Sequence, residues 1–254
     1  MDIFERKQKI LELLNQNGKV RVNELSALFD ISDVTIRIDL ADLEAKGLLS
    51  RVHGGAVSSY KTYYNMDMQQ RLTANQTHKQ AISARIVEMI DNNDTIMLNA
   101  GTTTLTFFRQ LPPKINLCIV TNSIAIAQEA GQNPNFNVVL LGGFINAKYQ
   151  FTYGEDAILQ LKKYHADKLI LSVDGITPTN GLTTFYNQEV ELARVMLSRA
   201  ATKIIAADST KLGRTAFAKI ADLEVADYII TNQHPVASED AEEYTHIVQN
   251  FIMV

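Results

Sequence analysis

The sequence predicts an α/β protein in two parts: a small, mainly helical head and a larger body built on a parallel sheet. Two observations carry this. Up to about residue 57, apolar residues recur at helical spacing in three short segments and then switch to an alternation of period two. From Asp94 onward, short apolar runs alternate with helix-like segments, the pattern of a parallel sheet covered on both faces. At 254 residues the chain accommodates such a division, with a head over residues 1–57, a linker over 58–74 and a body over 75–254.

Within the head, Ile10, Leu13 and Leu14 mark a first helix that ends before Asn17-Gly18. Leu25 and Leu28 fit a short second helix, and Asp30-Ile31-Ser32 makes a tight turn. Ser32 is a good N-cap for a third helix, because its hydroxyl can accept from the first-turn N–H groups. Ile36, Leu40 and Leu43 form the buried stripe of that helix, which ends near Lys46-Gly47. Val34, Ile38 and Ala41 then face outward, flanked by Thr35 and Arg37. After Gly47, Leu49, Arg51 and His53 alternate with Leu48, Ser50 and Val52, a strand pair closing at Gly54-Gly55. Three short helices followed by a β-ribbon make a winged helix-turn-helix, which lays its third helix in the DNA major groove.

These residues resemble the DeoR family of bacterial repressors of sugar catabolism. Their head carries Ser-x-x-Thr-Ile-Arg-Arg-Asp-Leu-x-x-Leu and closes with Gly-Leu-Leu-x-Arg-x-His-Gly-Gly-Ala. Ser32, Thr35, Ile36, Arg37, Asp39, Leu40 and Leu43 match the first run; Gly47, Leu48, Leu49, Arg51, His53, Gly54, Gly55 and Ala56 match the second. The resemblance implies binding to double-stranded operator DNA, with Ser32, Asp33, Val34, Thr35, Arg37, Ile38, Arg51 and His53 as contact residues. Ile38 departs from the pattern, standing where the family usually has a second Arg. It leaves an outward apolar pair, Val34 and Ile38, suited to thymine methyl groups. Packing of Ile38 against the wing or a neighbouring subunit is the alternative.

Charge limits what the head can do alone. From Met1 to Tyr60 there are eight basic residues (Arg6, Lys7, Lys9, Lys19, Arg21, Arg37, Lys46, Arg51) against nine acidic ones (Asp2, Glu5, Glu12, Glu24, Asp30, Asp33, Asp39, Asp42, Glu44). One copy is therefore expected to bind DNA weakly, and tight binding calls for a homo-oligomer, a dimer or tetramer, on repeated half-sites. A winged helix that docks on protein is the second reading. No apolar run approaches the roughly 20 residues of a membrane helix. The start, Met1-Asp2-Ile3-Phe4-Glu5, lacks the basic onset of a signal peptide. The single Cys118 lies in an apolar run and reads as buried and inert. A cytoplasmic protein without membrane contact is expected.

In the body, Ile82, Ile86, Met89 and Ile90 give a helix over Lys79 to Ile90. Strands are expected over Thr95–Leu98, Leu117–Thr121, Asn137–Leu141, Lys168–Val173, Lys203–Ala207, Tyr228–Thr231 and His246–Ile252. Helices are expected over Thr103–Gln110, Ile124–Gly131, Glu155–Lys163, Gln188–Ala200 and Ser238–Tyr244. The first five strands end on polar or glycine-rich segments: Gly101-Thr102-Thr103-Thr104, Thr121-Asn122-Ser123, Gly142-Gly143, Asp174-Gly175-Ile176, and Asp208 to Gly213 with Lys211. A glycine followed by hydroxyls at a helix start offers donors to an anion such as phosphate. Each segment alone is an ordinary turn or cap. Five at strand ends mark one edge, where ligands of such sheets bind.

The same segments resemble the C-terminal domain of DeoR-type regulators, which has Gly-Thr-Thr, Thr-Asn-Ser, Gly-Gly, Asp-Gly-Ile followed by Gly-Leu-Thr, a helix-opening Glu, and Ala-Asp-Ser-Ser-Lys-Phe-Gly. Gly181-Leu182-Thr183, Glu189 and Ala207 to Gly213 complete the match. The resemblance implies a sensor domain similar in fold to ribose-5-phosphate isomerase, with a phosphorylated sugar or sugar-alcohol effector. It places phosphate at the Gly101 loop with help from Lys211, and sugar hydroxyls on Asn122, Asp174 and Glu189. An isomerase-like enzyme with an accessory docking module is the alternative reading. The isomerases carry Asp-Gly-Ala-Asp-Glu for proton transfer, however, where this chain reads Asp174-Gly175-Ile176-Thr177-Pro178. The five histidines, His53, His78, His165, His234 and His246, are far apart in sequence, and no catalytic residue, cofactor or metal is expected.

Overall fold

Ten apolar side chains close the core of the head: Ile10, Leu14, Val20, Val22, Leu25, Ile36, Leu40, Leu43, Leu49 and Ala56. They come from every element of the head in a computed structural model that describes residues 3–17, 19–45, 49–58, 66–113, 115–233 and 243–254. The chain divides into two compact units, Met1–Asn75 and Gln76–Val254.

In the first unit, α1 (Ile3–Asn17), α2 (Val22–Phe29) and α3 (Asp33–Ala45) precede a small sheet. β1 (Lys19–Arg21), β2 (Leu49–Val52) and β3 (Gly55–Ser58) pair antiparallel in the order β1-β3-β2. Lys46-Gly47, where α3 was expected to end, lies outside the described residues. β1 was not expected; Val20 faces the core while Lys19 and Arg21 flank it, too short a run to stand out as a period. Gly55 permits the pairing with β1, since a Cβ there would stand 2.0 Å from the Val20 carbonyl oxygen. Leu28 does not join the core as its spacing suggested and is 59% exposed; α2 has only eight residues and turns Val22 and Leu25 inward instead. α2 ends on Asp30 in the left-handed region (φ 53°), with the Ser26 hydroxyl donating to the Ile31 carbonyl at 2.6 Å.

Beneath α3 lies an ion pair that apolar patterning did not show. Arg6 Nε donates to Asp39 Oδ2 at 2.6 Å, with both side chains at least nine-tenths buried. Lys7 Nζ reaches Asp42 at 2.8 Å and Asp39 at 3.7 Å. Within residues 58–74, expected to be a linker, α4 (Met68–Thr73) forms behind a capping box in which Asp67 and Gln70 satisfy each other's backbone N–H groups.

The second unit opens with α5 (Gln76–Val87), which buries Ile82 and Ile86. Its main sheet has seven parallel strands in the order β15-β14-β12-β9-β4-β5-β6. These are β4 (Thr95–Leu98), β5 (Leu117–Thr121), β6 (Phe136–Leu140), β9 (Ala166–Leu171), β12 (Ala200–Ala206), β14 (Tyr228–Thr231) and β15 (Asn250–Met253). Connecting helices include α6 (Thr102–Gln110), α7 (Ile124–Ala130), α8 (Glu155–Leu161) and α9 (Asn187–Arg199). All seven expected strands are present. The last begins later than expected because residues 243–247 are helical. The helix expected over Ser238–Tyr244 falls mostly outside the described residues.

Two smaller sheets were not expected: a hairpin of β7 (Phe144–Asn146) and β8 (Phe151–Tyr153), and a sheet β10-β11-β13 from Gly175–Thr177, Gly181–Thr184 and Ala218–Ala221. Among the described residues, no helix is long and apolar enough to cross a membrane.

The path of the chain positions the residues at the strand ends. It runs β4, β5, β6 toward one edge, then returns to β9 on the other side of β4 and continues outward through β12, β14 and β15. The order therefore reverses between β4 and β9, a switch point beyond whose carboxyl ends ligands of such sheets bind.

Candidate functional site

The head and the body each carry expected site residues. In the head, Ser32 caps α3: its Oγ accepts from the Thr35 backbone N–H at 3.2 Å and lies 2.9 Å from the Thr35 hydroxyl. With Ile36, Leu40 and Leu43 buried, the opposite face of α3 is turned outward. Asp33, Val34, Arg37 and Ile38 are exposed there, Val34 and Ile38 at 65% and 63%. Thr35 is half-buried. Arg37 forms no ion pair among the described residues.

Arg51 is exposed but engaged. Its guanidinium donates to Glu44 Oε2 at 2.7 Å and its backbone N–H to Glu44 Oε1 at 2.8 Å, which fastens β2 to the end of α3. The Glu44 carboxyl is held below its ordinary pKa, first by that backbone N–H and then by the guanidinium. His53 is exposed in the turn between β2 and β3.

In the body, the five expected segments follow β12, β9, β4, β5 and β6, which are consecutive neighbours in the sheet. The two central walls are tied together. Asn99 Nδ2 donates to the Ser172 carbonyl at 2.9 Å while its Oδ1 accepts from the Ser172 N–H at 2.9 Å. Gly101 lets the two walls approach closely, since a Cβ there would stand 1.8 Å from Ser172 Oγ and displace that hydroxyl. Gly101 is the N-cap of α6, and the first helical bond runs from Leu105 N–H to its carbonyl. The N–H groups of Thr102, Thr103 and Thr104 precede that bond and have no helical acceptor. Thr102 and Thr103 are 7% and 6% exposed, and their hydroxyls take no partner among the described residues.

Several expected ligand residues also make hydrogen bonds within the protein. Thr104 Oγ1 donates to the carbonyls of Asn99 and Gly101. Thr121 Oγ1 donates to the Leu98 carbonyl and accepts from Ser123 N–H, and Ser123 caps α7. Asn122 is 1% exposed; its Oδ1 accepts from Ala100 N–H at 3.0 Å and its Nδ2 donates to the Thr152 carbonyl at 3.1 Å. Asn122 thus binds the β4 loop to the β7–β8 hairpin, using one donor and one acceptor of its amide. Gly142 N–H donates to Gln160 at 3.0 Å. Gly143, at φ +134°, lies where a Cβ would meet the Tyr153 carbonyl oxygen at 2.4 Å.

On the other side, Asp174 Oδ2 accepts from Thr184 Oγ1 at 3.1 Å and Phe185 N–H at 3.0 Å. Gly175 lets the chain carrying Arg214 approach, its absent Cβ position lying 2.3 Å from that residue's carbonyl oxygen. Glu189 is half-buried in the first turn of α9. Lys211, 4% exposed, ends a 3-10 turn capped by Asp208, which is itself 1% exposed. Burial pushes the Asp208 carboxyl upward, but the charges of Lys211 and Lys79 and the bonds from Thr210 together outweigh it and hold the pKa below the ordinary value.

Lys79 was not singled out from the sequence. It is 2% exposed on α5, and its signal was a lysine in register with Ile82 and Ile86 on the buried stripe. Also missed was an aromatic clasp. Tyr149, beyond β7, packs on Tyr186 at the start of α9 with ring centroids 4.4 Å apart, and Phe151 meets the same ring at 5.9 Å.

Comparison with known proteins gives matches along most of the chain. Residues 6–62 match the DeoR-like helix-turn-helix domain, and residues 74–233 match the DeoR C terminal sensor domain. The HTH-type transcriptional regulator GolR of Listeria innocua is 35% identical over 90% of each chain. A lactose phosphotransferase system repressor of Streptococcus mutans is 31% identical over 96% of this chain and 98% of its own. Among solved structures, ribose 5-phosphate isomerase A of Methanocaldococcus jannaschii overlaps 55% of each chain with a TM-score of 0.41 and 16% identity.

Proposed function

Since the chain belongs to the DeoR family of transcriptional regulators, we propose that it represses a sugar or sugar-alcohol catabolic operon and is released by a phosphorylated sugar or sugar alcohol. It is a regulator and not an enzyme, and it acts on DNA in the cytoplasm. Residues 1–57 are the DNA-binding head, 58–74 the connection and 75–254 the sensor.

The observation that carries the effector half of this reading is the switch point between β4 and β9, where α6 begins after β4 with N–H groups and the hydroxyls of Thr102 and Thr103. An effector phosphate sits on that helix start, with Lys211 supplying the cation. Asp174 and Glu189 face the sugar hydroxyls. Asn122, which also braces the loop through its amide, joins them with the hydrogen-bonding capacity that remains to it. The DNA half is supported by the exposed outer face of α3. The head's balance of charge favours a dimer or tetramer that places two heads on repeated half-sites.

Repression and release are coupled only through the difference in effector affinity between the DNA-competent and DNA-incompetent states. The test is a gel-shift titration of promoter fragments upstream of carbohydrate operons, repeated with a panel of sugar phosphates. Retention of at least one fragment and its release by a phosphorylated, but not the free, sugar supports the proposal. A chain that shifts no fragment, with or without sugar phosphates, overturns it.

A further inference from the structure

The outward stripe of α3 carries a departure that concerns which sequence the head reads. Val34 and Ile38 are four residues apart on one face of the helix, 65% and 63% exposed, and lie in its first half. The N-terminal half of a recognition helix is the part that reaches base edges. Three of the head's cations are engaged elsewhere. Arg6 and Lys7 pair with Asp39 and Asp42, and Arg51 pairs with Glu44. On α3 itself Arg37 is the exposed cation, beside the two apolar side chains. Large apolar residues turned to solvent at this position gain nothing for the fold, whose core Ile36, Leu40 and Leu43 already close.

We infer that Val34 and Ile38 are specificity-determining residues that read the 5-methyl groups of two pyrimidines in the major groove. This inference rests on the head being the DNA-binding module proposed above. The only apolar group on a major-groove base edge is the thymine methyl, so an aliphatic pair selects T·A steps and leaves the hydrogen-bonding edges of G and C unread. Residues four apart on a helix have Cβ atoms about 5–6 Å apart, against a rise of roughly 3.4 Å per base pair. The two methyls therefore lie about two base-pair steps apart. A reader of methyl groups does not distinguish thymine from 5-methylcytosine at those positions, whereas a reader of thymine's O4 acceptor does.

The experiment uses the full chain. Duplexes are selected from a random pool, and the selected site is rebuilt with deoxyuridine in place of each thymine in turn. Removal of a buried methyl is expected to weaken binding about fourfold at two positions roughly two steps apart in each half-site, and nowhere else by as much. Cytosine at those positions weakens binding, and 5-methylcytosine restores part of it. Ile38→Ala and Val34→Ala, both on an exposed helical face where alanine is well tolerated, should each abolish the uracil penalty at one position and leave the other unchanged.

A uniform uracil scan, or alanine variants that keep both penalties, overturns the methyl reading while DNA binding stands. If Ile38→Ala alters the oligomeric mass and leaves the penalties in place, Ile38 is a subunit contact and the inference also fails. Should no duplex be selected at all, the proposed function falls, and the inference with it.

Discussion

Asp39 should be the residue on which the folding of the head depends most sharply. Its carboxylate meets Arg6 Nε at 2.6 Å, with side-chain exposures of 4% and 10%, and Lys7 stands 3.7 Å away. Asp39→Ala leaves the Arg6 guanidinium buried without its counter-ion, a change that costs about 3–5 kcal/mol in comparable buried pairs. A unit of the size of Met1–Asn75 has a stability of roughly 4–11 kcal/mol at typical values per residue. The variant thus removes between about a third and all of it. For a unit this small, each kcal/mol moves the melting point by about 4–8 °C, so a drop of at least about 12 °C is expected. Differential scanning calorimetry of the full chain, with the head transition identified by loss of DNA binding, measures this. The apolar double variant, Arg6→Met with Asp39→Leu, should recover most of the loss, because neither charge is then stranded. If Asp39→Ala lowers the head transition by less than about 4 °C, or the double variant is as unstable as the sum of the singles, the pair is not acting as a buried ion pair.

Three further outcomes follow from the body. Lys211→Ala should keep operator affinity and lose release by the sugar phosphate, read by gel shift; a normal response means that the phosphate is held elsewhere. Gly143→Ala, forced to φ +134° with a Cβ 2.4 Å from the Tyr153 carbonyl, should destabilise the body by about 1–3 kcal/mol in urea titration. Asp208 has a lowered pKa in the folded state, so its contribution is present above the unfolded value of about 3.9 and is lost as pH falls through the folded value. Stability of the body should therefore decline on acidification below about pH 4, and less so in Asp208→Asn when the two melting curves are compared across pH.

The parallel sheet was legible because its strands are buried on both faces and read as unbroken apolar runs, such as Ile96 to Leu98 and Leu169 to Leu171. The five strand-end segments were legible from residue type. Their side-by-side order was not, since neighbours such as Asn99 and Ser172 come from distant parts of the chain. Hairpin β7–β8 was missed because Phe144 and Ile145 are 70% and 61% exposed, so no buried alternation marks it. Asp39 and Lys79 were missed for a different reason. A charged residue on an apolar stripe looks like an interruption until its partner is known, and Arg6 lies 33 residues before Asp39. The bracing role of Asn122 was not legible from its residue type, because only the positions of Ala100 and Thr152 in the fold reveal it.

The clasp between Asn99 and Ser172 has a bearing on biosynthesis. Its two halves are 73 residues apart, an interval that ribosomes cover in roughly 4–15 s. During that interval the nascent β4 has no β9 beside it, and Met97 and Leu98 border an unpaired edge. A translational pause in this window would leave a sticky strand for chaperones to shelter, whereas a pause after Leu171 and Ser172 have emerged would not.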